Sequence, residues 1–255
     1  MQVSHLHKLI LIENPRCANR SFAHMLQAEP LEQFARFANA ADLKKDGGLP
    51  PEFEDYGVVV LVRNPLDRFV SAVRLTISKP CDEFTPEEVA DYGGKAFENL
   101  ALHLSDFQTL TSATEATIDW LKTTNDWPTI FKSQLTSLAG SPDLVISVSK
   151  AAAFANAHPE FERGFTDIGF DQGLSLQVPY IAAEFRQSLN ELLSEDVASL
   201  KIQPVWSPQP NVRLTALGGG CGGCGKTVTP EPVAPVLEVA FPKDEGKAPV
   251  SDAAE

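Results

Sequence analysis

Two apolar runs each end in an arginine-bearing turn that opens into an amphipathic segment. The first is Leu9-Ile10-Leu11-Ile12-Glu13-Asn14-Pro15-Arg16-Cys17-Ala18-Asn19-Arg20-Ser21-Phe22. The second is Val58-Val59-Val60-Leu61-Val62-Arg63-Asn64-Pro65-Leu66-Asp67-Arg68-Phe69-Val70-Ser71-Ala72. Short unbroken runs of Leu, Ile and Val predict strands buried on both faces. Each stretch therefore reads as strand, turn, helix. Such a junction presents backbone N–H groups and the positive end of a helix, which suits phosphate or sulfate. Two junctions suit a ligand with anionic groups at both ends.

The rest of the chain supplies the elements of an α/β fold. Strands are predicted over 8–13, 57–63 and 143–148. Helices are predicted over 20–27, 65–77, 95–107, 150–157 and 181–193, with 195–200 extending or following the last. Leu31, Phe34, Phe37 and Ala38 have helical spacing, so 31–41 is also read as helix. Thr85-Pro86-Glu87-Glu88 is a helix start: a threonine N-cap, proline in the first turn, then acids. Strands alternating with helices predict a mostly parallel sheet with flanking helices. Ligands of such sheets bind at the carboxyl ends of the strands, the edge where both arginine turns fall.

Composition sets the limits. The chain has 255 residues, enough for one domain plus a tail. Near Thr215 it changes to Gly218-Gly219-Gly220-Cys221-Gly222-Gly223-Cys224-Gly225-Lys226 and then to a stretch of prolines, alanines and acids. An α/β domain over 1–214 and a Gly/Pro-rich tail over 215–255, disordered or extended, are expected. A formal charge of −13 excludes nonspecific nucleic-acid binding. It leaves room for a local arginine cluster that takes a small anion. No apolar stretch is long enough for a signal segment or a membrane span, so a soluble cytoplasmic protein is expected. Cys17, Cys81, Cys221 and Cys224 do not form a disulfide framework. Cys221-x-x-Cys224 is half a zinc site with no second pair, and no metal is expected.

The second junction resembles the 3′-phosphate signature of the PAPS-dependent sulfotransferases of the type 2, carbohydrate-type family. Arg63-Asn64-Pro65-Leu66-Asp67-Arg68-Phe69-Val70-Ser71-Ala72 is similar to that family's Arg-Asn-Pro-x-Asp-Arg-x-x-Ser-Ala run. The first junction resembles its 5′-phosphosulfate loop, with Pro15, Arg16, Cys17, Ala18, Asn19, Arg20 and Ser21 in the matching positions. Asp126-Trp127 through Ser133-Gln134 is similar to the family's His-Trp-x-Pro-Gln block, with Asp126 where histidine is usual.

The resemblance implies a P-loop-related sulfotransferase fold and PAPS as co-substrate. It implies donor binding by Arg16, Cys17, Ala18, Asn19, Arg20, Ser21, Arg63 and Ser71, and transfer to a small-molecule or glycan hydroxyl. Arg16 stands where the family has lysine. Arginine is planar and does not deprotonate, so the exchange keeps phosphate binding and alters proton donation. Arg63 is suited to a bidentate grip on phosphate. A transfer also needs a base; His24 and Glu13 are the candidates, beside Arg16 as catalytic cation. Two other classes stay open. One is a sulfotransferase-like binding or structural module that acts through its tail. The other is a nucleotide kinase-like P-loop protein, which the absent Walker A glycines and lysine disfavour.

Overall fold

The computed structural model describes residues 1–44 except 33 and 35, then 51–148, 178–204 and 206. Five strands form one open sheet: β1 (Gln2–Ser4), β2 (Leu9–Ile12), β3 (Glu29–Pro30), β4 (Gly57–Val62) and β5 (Leu144–Ser147), in the order β3-β1-β2-β4-β5. The central strands β2, β4 and β5 are parallel, with Ile10 beside Val58 and Val60 beside Val145. At one edge β1 runs antiparallel to β2, Val3 opposite Ile10, and β3 runs antiparallel to β1. The fold is therefore α/β with a mixed sheet, and the expected parallel arrangement holds only for its centre. A short turn over 5–8 is enough for an antiparallel return, whereas parallel neighbours need long crossovers.

The apolar runs are unbroken because both faces of the sheet are covered. Leu11, Val59, Leu61 and Ile146 face α1 (Asn19–Met25), where Phe22 and Met25 meet them. Ile10, Ile12 and Val60 face the other way, onto Val3, Leu31, Leu43 and Phe53. A separate helical core joins α2 (Pro65–Thr76), α3 (Pro86–Tyr92), α4 (Lys95–Leu104), α5 (Leu110–Thr123) and, later in the chain, α7 (Ala183–Leu192). Phe84, Tyr92 and Phe97 stack edge to face within it. At the expected helix start, Thr85 and Glu88 close a capping box on α3. The one-turn α6 (Leu135–Leu138) precedes β5, and α8 (Ser194–Leu200) follows α7.

The helix expected over 31–41 is not formed. Leu31 N–H donates to Met1 C=O, so the chain leaves β3 extended. The Asn39 carboxamide accepts from Ala41 and Asp42 N–H and fixes a turn there. Leu31, Ala38 and Ala40 are buried against the sheet face without helical geometry. α5 was not among the predicted helices, although its buried Ala113, Thr114, Thr117, Ile118 and Leu121 recur at helical spacing. The helix predicted over 150–157 and the tail over 215–255 lie outside the described residues. By its contacts the chain divides into Met1–Val212 and Arg213–Glu255. No described helix is long and apolar enough to cross a membrane.

Candidate anion-binding site

The first junction is built from its own side chains. After β2, the buried Asn14 donates Nδ2 to Leu61 C=O at 3.0 Å, tying the loop to β4. Asn19 Nδ2 and Cys17 N–H both donate to Asn14 C=O, at 2.6 and 3.2 Å. The backbone turns through left-handed conformations at Arg16 (φ 66°) and Ala18 (φ 59°). A residue with a Cβ pays about 1–2 kcal/mol for that. Such strain persists only where the surroundings over-determine it, and it clusters at functional sites. No side chain caps the first turn of α1. Asn19, Arg20 and Ser21 precede its first internal bond, from Phe22 N–H to Ala18 C=O.

The second junction differs from expectation. Pro65 has no N–H, and the Asn64 side chain accepts from both Leu66 and Asp67 N–H. The amides of the first turn of α2 are thus occupied. What this junction offers an anion is side chains.

Three arginines interlock the two junctions. Arg16 donates Nε and Nη2 to Ser71 Oγ at 3.1 and 2.9 Å. Arg63 Nη1 donates to Arg16 C=O at 3.4 Å, and Arg68 Nε to Pro15 C=O at 2.8 Å. Arg63 and Arg68 are only 7% and 3% exposed, so their charges sit largely out of water. Burial pulls all three guanidinium pKa values below the usual arginine range, and for Arg16 the neighbouring Arg63 adds to the effect. Among the described residues, neither Arg16 nor Arg68 forms an ion pair with a carboxylate. Buried charges are ordinarily paired. Half-buried Asp67 lies in the field of Arg63, and burial pushes its carboxyl pKa up.

Gln134 fills the space beneath both junctions. Its Oε1 accepts from Arg63 N–H at 2.8 Å and from the Cys17 thiol at 3.3 Å. Its Nε2 donates to Arg63 C=O at 2.9 Å. Burial pushes the Cys17 thiol up to about 11, so at neutral pH it is a protonated donor and no nucleophile.

Arg16, Arg63 and Ser71 are therefore brought together, with Cys17, Ala18 and Asn19 forming the turn beneath Arg16. Arg20 is exposed and Ser21 half-buried on the first turn of α1. Neither candidate base is bonded into this interlock. Glu13 is buried with its carboxylate 3.4 Å from Arg36 Nε and 3.5 Å from the Met1 ammonium. Arg36 also holds Asp91, at 2.7 Å. His24 is exposed on the last turn of α1.

Sequence reasoning missed Gln134 and Asp196 as parts of the site. The only signal was the Ser133-Gln134 pair in the block after Trp127. Among the described residues no cluster of His, Cys, Asp and Glu is arranged to hold a metal. No family model, curated protein or solved structure matches the chain.

Proposed function

We propose that the chain is a sulfotransferase that moves the sulfuryl group of PAPS to a hydroxyl acceptor, a sugar hydroxyl first among them. The observation that carries this reading is the interlock of Arg16, Arg63 and Ser71, beside buried Arg68. Cationic side chains from two strand ends meet where neither Arg16 nor Arg68 has a carboxylate partner. An anion with charge at two ends offsets what those charges lose on burial. The parallel β2-β4-β5 centre, with both turns at its carboxyl edge, fits a P-loop-like sulfotransferase arrangement.

The roles are those the family resemblance implies. Arg63 and Ser71 grip the 3′-phosphate. The uncapped turn over 19–21 and Arg16 face the 5′-phosphosulfate. The acceptor oxygen attacks sulfur, the bond from sulfur to the bridging oxygen breaks, and that oxygen keeps the electron pair. A fixed guanidinium and fixed amides stabilise the developing charge without reorganising. The acceptor proton goes to a base. Glu13 is held by Arg36 and the Met1 ammonium, so His24, with its exposed ring, is the candidate of the two that remains accessible.

A second reading has its own support. Arg16 spends two donors on Ser71 and cannot give up a proton, which favours a module that binds the nucleotide without transferring the group. Incubation with PAPS and a panel of hydroxyl acceptors, with PAP release measured, separates the two. Acceptor-dependent PAP formation that disappears in Arg63→Ala supports the enzyme. PAP binding without release on any acceptor supports the module. Absence of PAP binding rejects both.

A further inference from the structure

Every hydrogen-bonding position on the fully buried side-chain amide of Gln134 is in use. Besides its bonds to Arg63 and Cys17, Nε2 points at Asp196 Oδ2, 3.4 Å away. Asp196 is itself 3% exposed, in the first turn of α8. Its Oδ1 accepts from Ser133 Oγ at 2.6 Å and from Gln134 N–H at 2.9 Å.

The bonds to Arg63 are the informative ones. Gln134 accepts from the N–H and donates to the C=O of one residue, as a neighbouring strand does. The β4 ladder ends at Val62, paired with Ser147. One residue further on, Gln134 takes both peptide groups of Arg63 with a side chain in place of a strand. Holding both peptide groups of Arg63 fixes its backbone dihedrals, and with them the direction in which its side chain leaves the sheet. A buried carboxylate is costly unless fully hydrogen-bonded, and Asp196 directs its bonds to Ser133 and Gln134.

We propose that Gln134, braced by Asp196, is a positioning residue that clamps the main chain of Arg63 and so aims its guanidinium at the anionic ligand. This rests on the donor-binding reading above. Functional groups need such supporting bonds to stay within a fraction of an ångström of productive geometry.

A double-mutant cycle tests it. Wild type, Arg63→Ala, Gln134→Ala and the double variant are each titrated with PAP and with sulfate, and each is melted. Gln134→Ala is expected to weaken PAP binding about tenfold. In the Arg63→Ala background the same change is expected to cost almost nothing, because its effect passes through Arg63. Losses that multiply independently overturn the proposal, as does unchanged affinity in Gln134→Ala. If Gln134→Ala does not fold, Asp196→Asn takes its place. It keeps one acceptor for Ser133 and Gln134 N–H but turns the other oxygen into a donor facing Nε2. A drop in PAP affinity of about threefold that requires Arg63 supports the brace, and no drop overturns it. Sulfate binding by wild type without PAP binding rejects the donor reading alone, and the cycle is then read with sulfate. Binding of neither rejects both.

Discussion

Arg16 reaches across 55 residues of sequence to give Ser71 Oγ two hydrogen bonds, at 3.1 and 2.9 Å. The hydroxyl receives both on its lone pairs, which leaves its own hydrogen to donate. Ser71 → Ala removes that acceptor and that donor together. Bonds to charged groups contribute about 1.5–3 kcal/mol. PAP affinity is expected to fall about tenfold or more in Ser71→Ala. Arg16→Lys, with one head group in place of a fork, is expected to recover only part of the affinity lost in Arg16→Ala. Isothermal titration checks both, and full recovery by lysine contradicts the fork.

The two candidate bases separate by what each one holds. Glu13 is 3% exposed and ion-paired with Arg36 and the Met1 ammonium. Glu13→Gln is expected to cost about 1–3 kcal/mol of stability, measured by urea unfolding, while leaving PAP affinity within about twofold. His24→Ala is expected to leave stability and PAP affinity unchanged, because its side chain is exposed. A fall in acceptor-dependent turnover in His24→Ala, with PAP affinity intact, identifies it as the base. Unchanged turnover removes it.

Asp67 carries a pH signature. Burial raises its carboxyl pKa above the ordinary value, against the pull of Arg63. The folded state thus holds this proton more tightly than the unfolded chain. The resulting stability is fully present below the unfolded carboxyl pKa of about 3.9 and is lost as pH rises through the raised folded value. Asp67→Asn escapes that loss. Its stability is expected to exceed wild type at neutral pH, and the gap to close as pH falls below about 4. Unfolding curves across pH read this directly, and a gap that widens in acid contradicts it.

Gly140 adopts φ 90°, and an added Cβ there collides with the backbone of Ala40 and Ala41. Those atoms cannot swing aside as a side-chain tip does. Gly140→Ala is expected to lose about 2 kcal/mol or more, through both the clash and the left-handed backbone. A melting temperature equal to wild type contradicts the packing of α6's exit against the turn at 39–42.

Much of the site's framework was legible, for identifiable reasons. Sheet strands covered on both faces leave uninterrupted Leu, Ile and Val, as in β2 and β4, and Asn64-Pro65 marks a helix start without tertiary help. Strand β1 was not legible: Gln2-Val3-Ser4 is too short for a period and is defined by its register with β2. The apolar spacing over 31–41 imitated a helix while serving a sheet face. Gln134 and Asp196 are single polar residues that meet at a sequence distance of 62, and no local pattern marks that meeting. Glu13 reads as an acid at a strand end, but its partner Arg36 is 23 residues away. The convergence of Arg16 with Ser71 is likewise a product of topology.

On the proposed reading, Arg63 holds a second phosphate. Titration of wild type and Arg63→Ala with PAP and with adenosine 5′-phosphate, which lacks the 3′-phosphate, tests it. Wild type is expected to prefer PAP by about tenfold or more, and Arg63→Ala to bind the two nearly alike. Equal affinity for both nucleotides in wild type, or an undiminished preference in Arg63→Ala, contradicts it.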